Sequence, residues 1–494
     1  MNNQTSKTKI GTKALVMGGS VAGLLAARVL SNYFEEVVII EKDELPDSPT
    51  NRPGTPQAYH PHRVLLRGKM IVERLFPGYT EDLLAEGAYL REGKTIQLNY
   101  RYGSIIIPDE RDVGCSRALF EWVIRNRVRV LPNVKIISGC EVSKLEMSVD
   151  DNGQKRITGV QLRERKAPGP EQPVTIQAEL VVDASGRNSK LGKWLIQLGY
   201  EVPEPERLKV SLGYSTCHFN VPEHLKDKWS TILVEGHPAK GIGTGVFSPI
   251  ENNLAEVLIF RAGGQSYPSV KSEDYVREAE TLLDSTISEL LKQMEPVASP
   301  RGFRVAECIR HRYDQMQNWP SGLLVIGDAL CNFDPIYGQG MTVAAIEAEI
   351  LDLCLQNHLN GNKVAFERNV LEKMQEAIEP AWWLSAASDL QWPGVEYSGG
   401  YSMEGFKFVQ RFFDEYLTQA IGKQNIEMFE TYMIMTSLLI APKEILNVEK
   451  ILSVLNEATT EEGLELRLEY SGEAGILRLK MFLEEHIPTF ALTF

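Results

Sequence analysis

The stretch Lys13-Ala-Leu-Val-Met-Gly-Gly-Ser-Val-Ala-Gly-Leu-Leu-Ala-Ala-Arg-Val-Leu30 restricts the fold more than any other part of the chain. Ala14 to Met17 has the length and apolarity of a buried parallel strand. Gly18, Gly19, Ser20 and Gly23 interrupt it, Leu24 to Leu30 reads as a helix of small and apolar residues, and a second strand, Val37 to Ile40, stops at Glu41. Strand, glycine-rich turn, helix, strand and acid form the dinucleotide-binding fingerprint.

Each position has a physical task. Gly18 permits the tight turn off the strand, and Gly23 lets the helix pack closely on the sheet. Ser20 stands where a glycine usually lets backbone approach a pyrophosphate, and its hydroxyl is small enough to reach a phosphate oxygen itself. With Val21 and Ala22 it opens a helix whose free N–H groups and positive dipole end face the phosphates. Glu41 follows Gly23 by 18 residues, near the ~20 expected of a carboxylate that grips ribose hydroxyls. An acid there repels a 2′-phosphate, which favours FAD or NAD over NADP. Lys42, beside it, completes the adenosine-side set.

A length of 494 residues allows two to four domains. A formal net charge of −14 with no basic block argues against a nucleic-acid partner. No apolar run approaches the ~20 residues of a membrane span, Tyr432 to Ala441 being the nearest. Six scattered cysteines without a C-x-x-C pair argue against a redox dithiol, a zinc site or a disulfide-built fold, and point to a reducing cytoplasm.

Beyond Glu41, Lys42 to Pro56 reads as an irregular loop leading to His60-Pro-His62-Arg63 and a helix from about Val64 to Leu75. The two histidine rings point to different faces with no acidic ligand beside them, so a cofactor-facing loop fits better than a metal site. Ser116 is the expected N-cap of a helix to Val128, with Arg117 in its first turn, where an anion such as a pyrophosphate would complement it. Short strands follow at Val134–Ser138, Glu141–Met147, Ile157–Arg163 and Val174–Ala178. A buried strand then reaches Asp183 and a second glycine turn at Gly186. Alternating runs from Lys209 to Ala262 predict a largely antiparallel sheet, with Gly241-Ile-Gly-Thr-Gly245 as a turn within it. One amphipathic helix is expected over Asp274–Met294.

The second decisive stretch runs from Gly322 to Ala345. A buried strand delivers Asp328 at its carboxyl end, where open α/β sheets bind ligands. Pro335, Gly338, Gln339 and Gly340 form a turn whose backbone can lie flat on a ring system. A helix from about Met341 to Leu359, with Val343, Ile346, Ile350 and Leu353 on one face, aims its positive end there; a flavin that becomes anionic on reduction suits that dipole. The remainder reads as helical. Trp382, Trp383 and Trp392 cluster in 381–396, a grouping that suits core or pocket.

These motifs together resemble the FAD-dependent monooxygenases of the para-hydroxybenzoate hydroxylase-like fold. The segments Gly54–His62, Cys115–Glu121, Val181–Arg187, Asn332–Met341 and Ala381–Asp389 are similar to the bacterial branch containing polyether-type polyene epoxidases. The resemblance implies a Rossmann-like α/β FAD domain (1–190 and 311–360), a mainly antiparallel β-sheet substrate domain (191–310) and a helical C-terminal region (361–494). It implies that Glu41 holds the adenosine ribose, Arg117 the pyrophosphate and Asp328 the ribityl chain, with Pro335 to Met341 cradling the isoalloxazine and His60 and His62 as flavin-wall residues. It singles out no catalytic side chain. The family's Asp-Gly motif is stretched here to Asp183-Ala-Ser-Gly186, a form nearer geranylgeranyl reductases and halogenases, so the electron donor stays open between NAD(P)H and a partner flavin reductase. The implied reaction moves one oxygen atom from dioxygen to an electron-rich C=C of a lipophilic metabolite, such as a polyketide or polyene, as epoxidation or hydroxylation. A reductase or dehydrogenase of a lipid-like substrate is the alternative; the halogenase W-x-W-x-I-P motif is absent.

Overall fold

The computed structural model describes residues 9–109, 113–151, 153–164, 174–361 and 365–490; the first eight residues of the expected FAD domain and the last four of the helical region lie outside them. A five-stranded parallel sheet forms the base, in the order Leu323–Val325, Leu180–Asp183, Gly11–Met17, Phe34–Ile40 and Val134–Ile137. Register places Val16 between Val182 and Ile39, and both faces are covered, which is why these strands read as unbroken apolar runs. The strands Cys140–Val149, Lys155–Glu164 and Val174–Gln177 add a three-stranded antiparallel sheet.

The second layer is an eight-stranded sheet. It is antiparallel except where Trp229–Val234 runs parallel to Lys94–Tyr100. Its far edge therefore comes from residues 94–109, well before the segment expected to build it. One face packs in the main core and the other under Tyr275, Ile287 and Leu290. Gly241 turns within this layer, at φ +68°.

The single helix expected over 274–294 is two, Ser272–Glu280 and Thr286–Leu291. The break has a local cause. Thr281 Oγ1 accepts from Arg261 (2.8 Å), and Asp284 Oδ1 accepts from Thr286 N–H (2.8 Å) and Asn99 (3.1 Å), so side chains take over the backbone's bonding. The long helix is Gly340–Leu359. It is enclosed by the helices Val21–Leu30, Leu66–Leu75 and Phe366–Asp389, so burial runs around much of its circumference. Leu353, expected on the inner face, is 47% exposed, while Leu351 and Leu355 are buried. Six helices between 366 and 486 form the C-terminal region, and no helix among the described residues is long and apolar enough to cross a membrane.

Candidate active site

The chain leaves the strand Gly11–Met17 at Gly18 with φ +110°, and a Cβ there would sit 2.3 Å from the Ala184 carbonyl oxygen. At Gly23 a Cβ would stand 1.9 Å from the Gly18 carbonyl oxygen. Both glycines are therefore required by contact, one for the turn and one for helix packing. Gly19 N–H donates to Glu41 Oε2 (2.8 Å), tying the turn to the acid at the end of the next strand.

Two helices begin in this region, Val21–Leu30 and Gly340–Leu359. Neither is capped by its N-cap side chain, Ser20 or Gln339, and neither carries an acid in its first turn. Their free N–H groups and positive ends thus remain for an anion. Between them lies a cavity of ≈450 Å³. On the side of the second strand it is bounded by Glu41, Lys42 and Arg52; in the middle by Gly18, Ser20, Val21, Ala22, Arg117 and Asp328; on the side of the long helix by His62, Pro335, Gly338, Gly340 and Met341. Five expected residues do not line it, His60 (below) among them. Gly19 and Gly23 act through the contacts above. Gln339 Oε1 accepts from Ser385 (2.7 Å). Asp183 is fully buried, its Oδ1 accepting from Ser185 N–H (2.9 Å) and its Oδ2 from Ser189 (2.6 Å). It shapes the Ala184–Gly186 turn, which does line the cavity.

The electrostatics are built around Glu121. Its carboxylate accepts from Ser20 Oγ (2.9 Å) and Arg52 Nε (2.9 Å) and pairs with Arg117 (3.0 Å). Burial alone would push its pKa up, but the Arg117 and Arg52 guanidiniums hold it below the ordinary value. Ser20 also accepts from Arg117 (2.9 Å), so its hydroxyl proton goes to Glu121 and its role is to position that arginine. Asp328 is the counterpart that lacks a protein partner: it faces the cavity and makes no hydrogen bond or ion pair among the described residues. Burial raises its pKa, opposed by Arg187 and Arg117. His62 Nδ1 donates to the His60 carbonyl (2.7 Å), which leaves Nε2 as acceptor. Burial, with the Arg117 charge beside it, lowers its pKa to about 4, so the ring is neutral at physiological pH. His60 is withdrawn from the cavity, bonded to Thr216 (2.8 Å) and set edge-on to Tyr214.

Sequence reasoning missed several lining residues: Arg52, Arg187, Trp194, Tyr214, Phe303 and Asp334. Arg187 and Asp334 lie inside motifs already singled out; the others come from distant segments with no local signature. The tryptophan cluster is core. Trp382 and Trp383 are 1% and 0% exposed, the first edge-on to Phe333 and the second packed on Phe406 and Phe490.

A flavin dinucleotide fits this donor set. Glycine backbone without room for Cβ, two uncapped helix starts, a guanidinium aligned by a buried carboxylate and an unpartnered Asp328 match pyrophosphate and polyol hydroxyls. No family model matches the chain. Among curated proteins, Protein Rv3254 of Mycobacterium tuberculosis is 30% identical over 388 residues, covering 76% of this chain and 80% of its own. Squalene epoxidase 3 of Arabidopsis thaliana is 25% identical, over 71% of this chain and 62% of its own. The FAD-dependent monooxygenase esdpE of Penicillium shearii is 24% identical, over 72% and 70%. Among solved structures, flavin-dependent brominase Bmp2 superposes with a TM-score of 0.64 at 14% identity, over 90% of this chain and 98% of its own. The p-nitrophenol 4-monooxygenase PnpA of Pseudomonas putida gives 0.59 at 16%, over 87% and 99%; at such identities these two report on fold. Fold, cavity and relatives agree, and the chain belongs to the FAD-dependent monooxygenases of the para-hydroxybenzoate hydroxylase-like fold.

Proposed function

We propose that this enzyme transfers one oxygen atom from dioxygen to an electron-rich C=C of a lipophilic metabolite of polyene or polyketide type, giving an epoxide or an alcohol. The observation that carries the reading is the wall of the cavity. Tyr214 and Phe303 stack at 5.5 Å with 29° between their planes, and with Val305, Phe333 and Met341 they line the same space as the Pro335–Gly340 turn. Such a surface binds an apolar substrate and keeps water from the reacting atoms. The relationship to a protein named squalene epoxidase supports an alkene substrate.

Bound FAD supplies the redox chemistry with dioxygen. The chain orients and polarises. Arg117, fixed by Glu121 and Ser20, neutralises phosphate charge; Asp328 accepts from ribityl hydroxyls. The start of Gly340–Leu359 stabilises negative charge developing on the ring system, and His62 offers a neutral acceptor at Nε2. Electrons come from NAD(P)H or from a partner flavin reductase. Turnover of a candidate alkene under isotopically labelled dioxygen tests the reading, with NAD(P)H and pre-reduced flavin supplied in parallel. One labelled oxygen per product is expected. Substrate oxidised or reduced without label would establish the reductase or dehydrogenase reading instead.

A further inference from the structure

Strand register sets one row of side chains across the core-facing side of the eight-stranded sheet. Tyr214, which lines the flavin cavity, stands opposite Phe260, and Phe260 opposite Thr244. Val234 pairs with both Gly245 and Asn99, so one residue further on the row continues through Glu235 to Tyr100. Two hydrogen bonds fix that end: Glu235 N–H donates to the Asn99 carbonyl (2.8 Å) and Gly236 N–H to Thr244 Oγ1 (2.9 Å). Two residues along the strands, the parallel row on the same face is apolar: Leu258, Val246, Leu233 and Leu98. The sheet face therefore offers an apolar lane that begins at the flavin cavity and ends on an acid and a phenol.

A second phenol joins them from the C-terminal region. Tyr432 lies one turn beyond Phe429 in the helix Ile426–Thr436, and the Phe429 ring is edge-on to Tyr100 at 6.1 Å. The Glu235 charge raises the pKa of both phenols. No side-chain oxygen of Tyr100, Glu235 or Tyr432 has a hydrogen-bond partner among the described residues, and none is sealed against its neighbours. All three side chains are half-buried, and burial is the main cause of their raised pKa values, Glu235 reaching about 7. Asp328 and His62, which line the flavin cavity, combine partial exposure and a burial-shifted pKa in the same way. The three oxygens thus face enclosed space. The nearest cation is engaged elsewhere, since Arg101 pairs with Asp414, which also accepts from Tyr102 (2.7 Å). Arg63 links the cluster to the flavin turn: it lines the cavity, its carbonyl would lie 3.4 Å from a Cβ on Gly338, and its charge acts on Tyr100.

We propose that the substrate is an amphiphile whose apolar body lies along this lane and whose terminal hydroxyl is held by Glu235, Tyr100 and Tyr432. An alcohol matches the set: its O–H donates to the carboxylate, and its oxygen accepts from the phenols. From the strand of Tyr214 to that of Tyr100 the row crosses four strand spacings, each about 4.8 Å and roughly 19 Å in all, the length of an extended chain of about fifteen carbons. The inference rests on the lipophilic-substrate reading and adds the polar end that orients the molecule, so that one double bond meets the flavin.

The test is binding to the oxidised, FAD-loaded protein, read from the perturbation of the flavin absorbance. The probes are a linear alkene of about fifteen carbons and the same alkene with a terminal hydroxyl. A purely apolar pocket favours the hydrocarbon, because the hydroxyl loses its water. The proposal expects the reverse, with the alcohol roughly 10- to 100-fold tighter. Glu235→Leu should cancel the preference by weakening the alcohol and sparing the alkene. Tyr432→Phe should reduce it, which keeps the comparison available if the leucine variant folds poorly. Equal or reversed affinities in the native chain, or a preference unchanged in both variants, would overturn the subsite. Binding by neither probe would overturn it together with the lipophilic-substrate reading. Labelled oxygen in the product without a preference for the alcohol would leave the monooxygenase standing and sink the subsite. A preference for the alcohol without label in any product would do the opposite.

Discussion

Asp328→Ala tests the cofactor site by an effect of opposite sign in the two states of the protein. In the structure the carboxylate faces the cavity with no protein partner, and burial raises its pKa. With FAD bound, its proposed role is to accept from ribityl hydroxyls. Loss of a charge-assisted hydrogen bond costs about 1.5–3 kcal/mol, equivalent to a roughly 10- to 150-fold rise in Kd. Without FAD, the same carboxylate is desolvated and unpaired, so its removal should stabilise the apoprotein by about 1 kcal/mol. The assay is a pair of measurements on flavin-stripped protein: a calorimetric FAD titration and a thermal melt. The expected result is weaker binding together with a higher apoprotein melting temperature. Unchanged FAD affinity would show that Asp328 only terminates its strand. A destabilised apoprotein would show that the carboxylate has a structural partner, and the reasoning from its orphaned position would fail.

Three further substitutions address other parts of the cradle. Gly18→Val should abolish flavin retention, because the residue sits at φ +110° and its Cβ would meet the Ala184 carbonyl oxygen at 2.3 Å; a yellow purified variant would refute this. Trp383→Ala should cost about 3–5 kcal/mol of stability by emptying the space against Phe406 and Phe490, without raising peroxide release per flavin oxidised; increased leakage would put the residue in the cavity wall. Glu347 is fully buried, accepts from Gly327 N–H (2.6 Å), and has its pKa pushed up by burial to about 8. Its folded form thus holds a proton that the unfolded chain releases near the ordinary value, 4.5, and the native chain loses stability as pH rises from about 4.5 to about 8. The melting-temperature advantage of Glu347→Gln should therefore widen across that window and stay constant above it, and a pH-independent gap would refute the assignment.

The parts of the site that were legible in the sequence are those whose constraint is local. Gly18 announces itself because the turn off the strand demands a positive φ, and Gly23 because the Gly18 carbonyl five residues earlier excludes a Cβ. Asp328 was legible because an apolar strand ends on it and a glycine turn follows. Ser116 caps its helix as expected, accepting from Leu119 N–H (3.1 Å), because capping is decided within four residues. Tyr214, Phe303 and Trp194 were not legible, since an aromatic residue in a strand or helix looks the same whether it faces a ligand or a neighbouring side chain. The helix expected over 274–294 kept its apolar face, yet broke where Arg261 and Asn99, both remote in sequence, bind Thr281 and Asp284. Likewise residues 94–109 joined the second sheet through a pairing that no local pattern announces.

Ser20 shows how the non-local part changes a functional reading. From its place in the fingerprint, a serine hydroxyl reads as a phosphate donor. The fold brings Glu121, 101 residues later, within 2.9 Å of it, and an ionised carboxylate is a strong, charge-assisted acceptor. The hydroxyl proton is thus committed to Glu121 while the oxygen accepts from Arg117. The usual glycine at this position gives the backbone free approach; this chain replaces that freedom with a fixed arginine. In the proposed site, phosphate recognition would depend on the linked set Ser20, Arg117 and Glu121, extended by Arg52, rather than on the glycine turn alone. Only the turn could be read from adjacent residues, because the triad exists only once the strand-turn-helix at 11–30 and the helix Arg117–Arg129 have packed together.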